Sequence, residues 1–298
     1  MTLRPLSPSG HGRAKGLVSS RASGRRVDAR TFAPPGDLVH VVESYWVGRW
    51  DLVGRPPHVT ELLGDPCVHL CVERGASRVV GAWTKRWVRT LEGEGMVRAV
   101  KLRAGAVRAF LDVTAASLAD RIVPLGDFID DAARFEREVL EPEDDETAFA
   151  QWTARLRGML RPVDVALPVG ACAAIAADRE LTSVDALASR LGVSPRVVQR
   201  LFREHVGVTP KRAIMRARLQ QAALQIEKGV APNLARLAAD LGYTDEAHFN
   251  RDFKAAVGRT PREFEASLEA DPAPRPTSGG HTRARRPSRQ GAPPRLSR

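Results

Sequence analysis

Cysteine is scarce in this chain, with three in 298 residues and two of them, Cys67 and Cys71, four positions apart. So few cannot build a disulfide framework, and the expected compartment is a reducing cytoplasm. Tyrosine occurs twice, and aromatic residues total 5%. No apolar run approaches the roughly 20 residues of a membrane-spanning helix, which argues against an integral membrane protein. Residues 1–27 are rich in Arg, Ser and Gly without an apolar segment, so no secretory signal is expected. The motifs Gly-x-Ser-x-Gly, His-Glu-x-x-His, Gly-x-x-x-x-Gly-Lys-Ser/Thr and Gly-x-Gly-x-x-Gly are all missing. His40, His58, His69, His205 and His248 show no dyad-like spacing to an acid, so neither a catalytic residue nor a cofactor is expected.

What is abundant is basic charge. Lys and Arg number 46 against 35 Asp and Glu, a net charge of +11. Residues 1–33 hold seven basic residues and one acid, residues 34–181 hold 18 and 23, residues 182–265 hold 14 and 9, and residues 266–298 hold seven and two. An acidic middle therefore lies between basic ends, a layout suited to a polyanionic partner. Segments 1–33 and 269–298 have too few large apolar residues to offset ordering entropy and are expected to be disordered basic tails.

Two textures fill the interior. Residues 34–140 carry short runs of Val, Trp and Gly, and Val68, Leu70 and Val72 alternate with Cys67, His69 and Cys71. Trp87 to Leu91 and Met96 to Leu102 are further runs of strand length, so this part is expected to be β-rich. The acidic stretch Glu141 to Glu146 marks a boundary, and residues 141–164 are expected to be an acidic linker and helix. Over 165–268, Ala, Leu and Arg recur at helical spacing. The fold class is α+β: a β-rich N-terminal domain, then an all-α domain.

The helical half repeats itself. Leu187 to Ser194 (LASRLGVS) matches Leu237 to Thr244 (LAADLGYT), and Phe202, Gly207, Thr209 and Pro210 match Phe253, Gly258, Thr260 and Pro261 with one extra residue between. Each copy reads as a helix-turn-helix. A helix ends on Gly192 or Gly242, Val193 or Tyr243 plugs the turn, and Ser194 or Thr244 caps the next helix. Pro195 suits a first helical position, where no backbone N–H is missed. With Val198, Leu201, Phe202, Phe249 and Phe253 inward, Arg196, Gln199, Arg200 and Arg203 face out from the first copy. Glu246, His248, Asn250, Arg251 and Lys254 do so from the second. Arg is suited to guanine, Asn and Gln to adenine, and Glu to cytosine. Lys211 to Glu227, without Gly or Pro, reads as a linker helix of roughly 25 Å that could set two such helices in successive major grooves of duplex DNA.

Leu237 to Phe264 (LAADLGYTDEAHFNRDFKAAVGRTPREF), with Asp178 to Pro210 and the linker helix, resembles the DNA-binding domain of the AraC/XylS transcription regulators. The resemblance covers about residues 165–268. It implies a seven-helix domain with two helix-turn-helix units, in which Arg196, Gln199, Arg200, Glu246, Ala247, Asn250 and Arg251 fall at base-reading positions. Residues 43–131 resemble a β-rich sensor-type domain joined to such units. In better-known members the equivalent domain is cupin-like, binds a small effector and often dimerises. The implied protein is a transcription activator or repressor whose partners are double-stranded DNA, RNA polymerase, a small-molecule effector and a second copy.

Other readings stay open. Tyr45, Trp46, Trp50 and Trp83 are candidates to line an effector pocket with Arg103 fixing an anionic group, or else they are core. Cys67, His69 and Cys71, with His58, form a candidate metal set or redox pair beside the blander reading of small buried cysteines. A nucleoid-type protein binding nucleic acid through its basic tails is the alternative function, but it leaves the two matched turns without a purpose.

Overall fold

The computed structural model describes residues 27–269 together with Arg4, apart from Leu63, Asp65, Arg179 and Pro232. Most of both basic tails lies outside the described residues. Residues 27–32 do not belong to a tail: they form strand β1 (Val27–Phe32), paired antiparallel with β2 (Val42–Leu52) from Val27 against Trp50 to Phe32 against Tyr45.

The strands β3 (His58–Leu62), β4 (His69–Glu73), β5 (Arg78–Val80), β6 (Trp87–Leu91), β7 (Gly93–Leu102) and β8 (Ile122–Pro124) follow. Six of the eight form one antiparallel sheet in the order β1-β2-β7-β4-β5-β8, and β3 pairs with β6 as a separate ribbon. Alternation along each strand divides the side chains between two faces. Tyr45, Val47, Leu70, Val72, Val100 and Leu102 enter the main core. Trp50, Leu52, Cys71, Val97 and Ala99 enter a second cluster, which Leu91 and Trp87 of the ribbon help to close.

Helices α2 (Ala132–Leu140) and α3 (Asp145–Met159) cover the main-core face, and a short helix α1 (Ala115–Leu118) precedes them. Phe135, Val139, Phe149, Trp152 and Leu156 are buried in that core. The stretch 141–164 is therefore not a linker between domains. Its acidic residues form the turn between α2 and α3, where Asp144 caps α3 by accepting from the Thr147 N–H at 2.7 Å. The helix that follows is held by apolar burial, at roughly 1.5–3 kcal/mol for each large side chain.

Beyond Val165 the regular elements among the described residues are all helices: α4 (Ala166–Ala177), α5 (Val184–Leu191), α6 (Pro195–His205), α7 (Pro210–Glu227), α8 (Leu234–Asp240), α9 (Glu246–Val257) and α10 (Pro261–Glu269). Two separate apolar cores organise them. One gathers Ala171, Ile175, Leu187, Val198, Phe202 and Ile214; the other gathers Leu219, Ile226, Leu237, Phe249, Phe253 and Phe264. Helix α7 contributes to both.

Candidate nucleic-acid interface

Each core supports a helix, a tight turn and a second helix. Gly192 ends α5 at φ +66°, and Gly242 follows α8 at φ +70°, a conformation glycine adopts without a Cβ penalty. Ser194 Oγ accepts from the Val197 N–H at 3.4 Å, with Pro195 in the first turn of α6. In the second unit Thr244 does not cap the helix. Asp245 does, accepting from the His248 N–H at 2.6 Å, and that bond holds its carboxyl below the ordinary value. The residue by which the second copy exceeds the first is thus absorbed at the turn, where a carboxylate meets the positive end of α9.

Val198 and Phe202 are fully buried, as are Phe249 and Phe253. Their helical spacing turns the opposite faces outward. Arg196, Gln199, Arg200 and Arg203 are exposed on α6, and they line one groove with Ser194, Thr209 and Lys211. Thr209 caps α7 by accepting from the Arg212 N–H at 3.3 Å. The N-termini of α6 and α7 therefore open beside four cationic side chains, an arrangement suited to phosphate oxygens. Thr209 and Lys211 were not among the expected contacts; their signal was the Thr-Pro pair, read only as a mark of the repeat.

On α9, Ala247, His248, Arg251 and Lys254 are exposed and Glu246 is half-buried. His248 Nε2 lies 3.5 Å from Asp252 Oδ2 one turn along. Asn250 departs from expectation: it is half-buried, and its Oδ1 is turned into the protein without a hydrogen-bond partner. Beneath this unit, Arg218 of α7 sits 5.2 Å from the ring centroid of Tyr243, the residue that plugs the turn. Burial lowers the Arg218 pKa and raises that of Tyr243.

The residues expected to line an effector pocket do not converge. Tyr45 points into the main core, stacked on Phe149 at 5.1 Å and bonded to Thr153 Oγ1 at 2.9 Å. Trp46, next along the strand, points to the opposite face with Trp50 and Trp83. Arg103 lies beyond β7, with its Nε donating to the Val39 carbonyl at 2.6 Å.

The cysteine set is likewise dispersed. Cys67 precedes β4, and its thiol donates to Glu43 Oε2 at 3.6 Å. His69 Nδ1 accepts from Trp46 Nε1 at 3.2 Å, while burial pushes the Cys71 thiol up to about 11. His58 is buried in β3. Among the described residues, no group of three or more His, Cys, Asp and Glu side chains could hold a metal ion, and no helix is long and apolar enough to cross a membrane.

The chain is similar to known proteins in two parts of its length. A family profile described as "Helix-turn-helix domain" matches residues 187–267, and one described as "Domain of unknown function (DUF6597)" matches residues 30–124. The HTH-type transcriptional activator RhaS of Escherichia fergusonii is 31% identical over 91 residues, 30% of this chain and 32% of RhaS. This chain thus spans about a third of the length of that relative. A solved transcriptional regulator with an AraC-type DNA-binding domain, from Chromobacterium violaceum, is 27% identical with a TM-score of 0.31, covering 34% of this chain and 90% of that one. Regulatory protein SoxS of Salmonella typhimurium is 31% identical over 86 residues, which make up 29% of this chain and 79% of SoxS. With most of SoxS matched, and with two capped helix-turn-helix units built on one shared helix, this chain belongs to the AraC-type family of helix-turn-helix transcription regulators.

Proposed function

We propose that this protein is a sequence-specific DNA-binding transcription regulator in which α6 and α9 enter two successive major grooves. One observation carries the reading: two exposed helix faces of DNA-reading type, each set by a glycine turn and a side-chain cap, are joined by the continuous helix α7. Eighteen residues of helix span about 27 Å, close enough to one duplex turn of roughly 34 Å for modest bending to close the difference. Arg196, Gln199, Arg200, Arg251 and His248 are the base-reading candidates. Arg203, Lys211 and Lys254, with the helix N-termini, are the phosphate contacts. Asn250 reads a base only after its side chain turns outward.

Double-stranded DNA is the main partner in this scheme and the cytoplasm its compartment. RNA polymerase, a small-molecule effector and a second copy act through the remaining surfaces. Relatives named as transcriptional activators support activation as the output. The protein is a binder, not an enzyme.

Selection of sites from random duplexes with full-length protein, at about physiological salt, tests this. Two short blocks about one helical turn apart are expected. Binding that enriches no sequence and disappears as salt rises would instead make the protein a non-specific nucleic-acid binder.

A further inference from the structure

The repeat places Gly207 after the first recognition helix and Gly258 after the second, and both have positive φ, +86° and +85°. The N-terminal domain touches both DNA-binding units at these equivalent points, and α1 packs along α6 as well. A Cβ built on Gly207 would lie 2.7 Å from the Ala115 carbonyl oxygen and 3.2 Å from the Ala82 Cβ. A Cβ on Gly258 would lie 2.5 Å from Nη1 of Arg86. One short segment, Ala82 to Arg86, thus reaches both.

A third contact falls between them. Arg216, in the middle of α7, donates through Nε to the carbonyl of Gly64. Gly64 itself packs so closely under the carbonyls of Trp83 and Lys85 that no Cβ would fit. Thr84 and Lys85 then share a small cleft with Arg212 and Arg216 of α7 and with Asp252 and Ala255 of α9.

The segment is held firmly on its own side. Asp120, the only non-glycine with positive φ among the described residues, accepts from the Thr84 N–H at 2.7 Å and from Thr84 Oγ1 at 2.6 Å. Its own N–H donates to the Ala82 carbonyl at 2.9 Å, and the Gly81 N–H donates to the Arg121 carbonyl at 3.0 Å. A non-glycine residue persists in that conformation only where its surroundings over-determine it.

A helix joining two units fixes their separation along its axis, but the rotation of each unit about that axis is held by side-chain packing against the helix. Contacts at two equivalent points and at the strut between them remove the rotation. We infer that Ala82 to Arg86 is a spacing-determining element: by touching Gly207 beside Ala115, touching Gly258, and backing the Gly64 carbonyl that holds Arg216, it fixes how α9 is turned relative to α6, and so which separation of two base blocks the protein accepts. The inference rests on the two-groove reading proposed above.

The test uses full-length protein with Arg86→Ala and Arg216→Ala combined. The duplexes carry the selected site with zero, one or two base pairs inserted between its blocks. Two base pairs rotate the second block by roughly 70° about the duplex axis. The wild type is expected to lose about tenfold or more in affinity at that insertion, and the double variant less than about threefold. Affinity for a single block, and the melting temperature, are expected to be nearly unchanged. Restoring charge with Arg86→Lys and Arg216→Lys should restore the steep profile. Should the double variant fail to fold, Thr84→Ala, which removes only the hydroxyl bond to Asp120, is read the same way. Identical spacing profiles for wild type and variants would overturn the inference alone. A wild type that selects no two-block site would overturn the two-groove reading and this inference with it.

Discussion

Arg98 of β7 and Asp145 in the first turn of α3 form an ion pair, Nη2 to Oδ1 at 3.0 Å, with the Arg98 side chain 1% exposed. Nη1 of the same guanidinium donates to the carbonyls of Val139 and Pro142, each at 2.8 Å, at the end of α2. Burial pulls the Arg98 pKa down, and the Asp145 carboxylate works against that shift. One buried cation therefore closes the C-terminal end of one helix and the N-terminal end of the next onto the sheet. Asp145→Ala should cost about 3–5 kcal/mol of unfolding free energy, because it leaves the guanidinium buried without its counter-charge. A denaturant titration showing less than about 1 kcal/mol would mean that the carbonyl bonds suffice.

Arg196→Ala and Arg200→Ala should each cost roughly 1–3 kcal/mol on the selected site and relax one base position. Arg203→Ala, nearer the end of α6, should weaken all sequences alike and flatten the salt dependence of binding. Competition assays against single-base variants separate the two outcomes; uniform weakening by Arg196→Ala would exclude base reading there.

Gly192 and Gly242 end equivalent helices, but their surroundings differ. Space around a Cβ at Gly192 is open, whereas one at Gly242 would lie 2.7 Å from Arg218 Nη2. Gly192→Ala should lower stability by about 1 kcal/mol through backbone strain alone. Gly242→Ala should cost more, because the Arg218 guanidinium must also leave its place over Tyr243. Equal shifts in thermal unfolding would show that the guanidinium moves freely.

Asp245 makes the second unit acid-sensitive. The His248 N–H lowers its carboxyl pKa below the ordinary 3.8 in the folded state. The resulting stabilisation is complete above that ordinary value and is lost as pH falls through the lower, folded one. Asp245→Asn, which keeps a capping oxygen but cannot titrate, should reduce the acid dependence of α9 seen by amide chemical shifts between about pH 5 and 2. An unchanged titration would assign the sensitivity to other carboxylates.

The helical half was largely legible in the amino-acid order because its signals are local. A glycine, a plugging residue and a cap lie within three or four positions, and Phe202 and Phe253 each follow at equivalent places on the next helix. Thr244 misled because the extra residue of the second copy sits at the turn, where either of two neighbours could cap. Asn250 misled because helical phase gives a direction but not the rotamer of a half-buried amide.

The N-terminal half was legible only as strands. Strand order depends on pairings such as β2 with β7, which the chain separates by dozens of residues. The acidic turn at 141–146 looked like a boundary because charge clusters at surfaces, and a turn capped inside one domain is as much a surface as a linker. Tyr45 and Trp46 looked like companions in composition, yet adjacency along a strand sends them to opposite faces.

Helix α7 gives Ala213 and Ile214 to one core and Leu219, Ala222 and Ile226 to the other. Loss of either core strips half the packing from this helix, and a helix stub of eight or nine residues is marginal alone in water. The two DNA-reading units are consequently expected to melt as one cooperative block, so that local opening of one weakens the other.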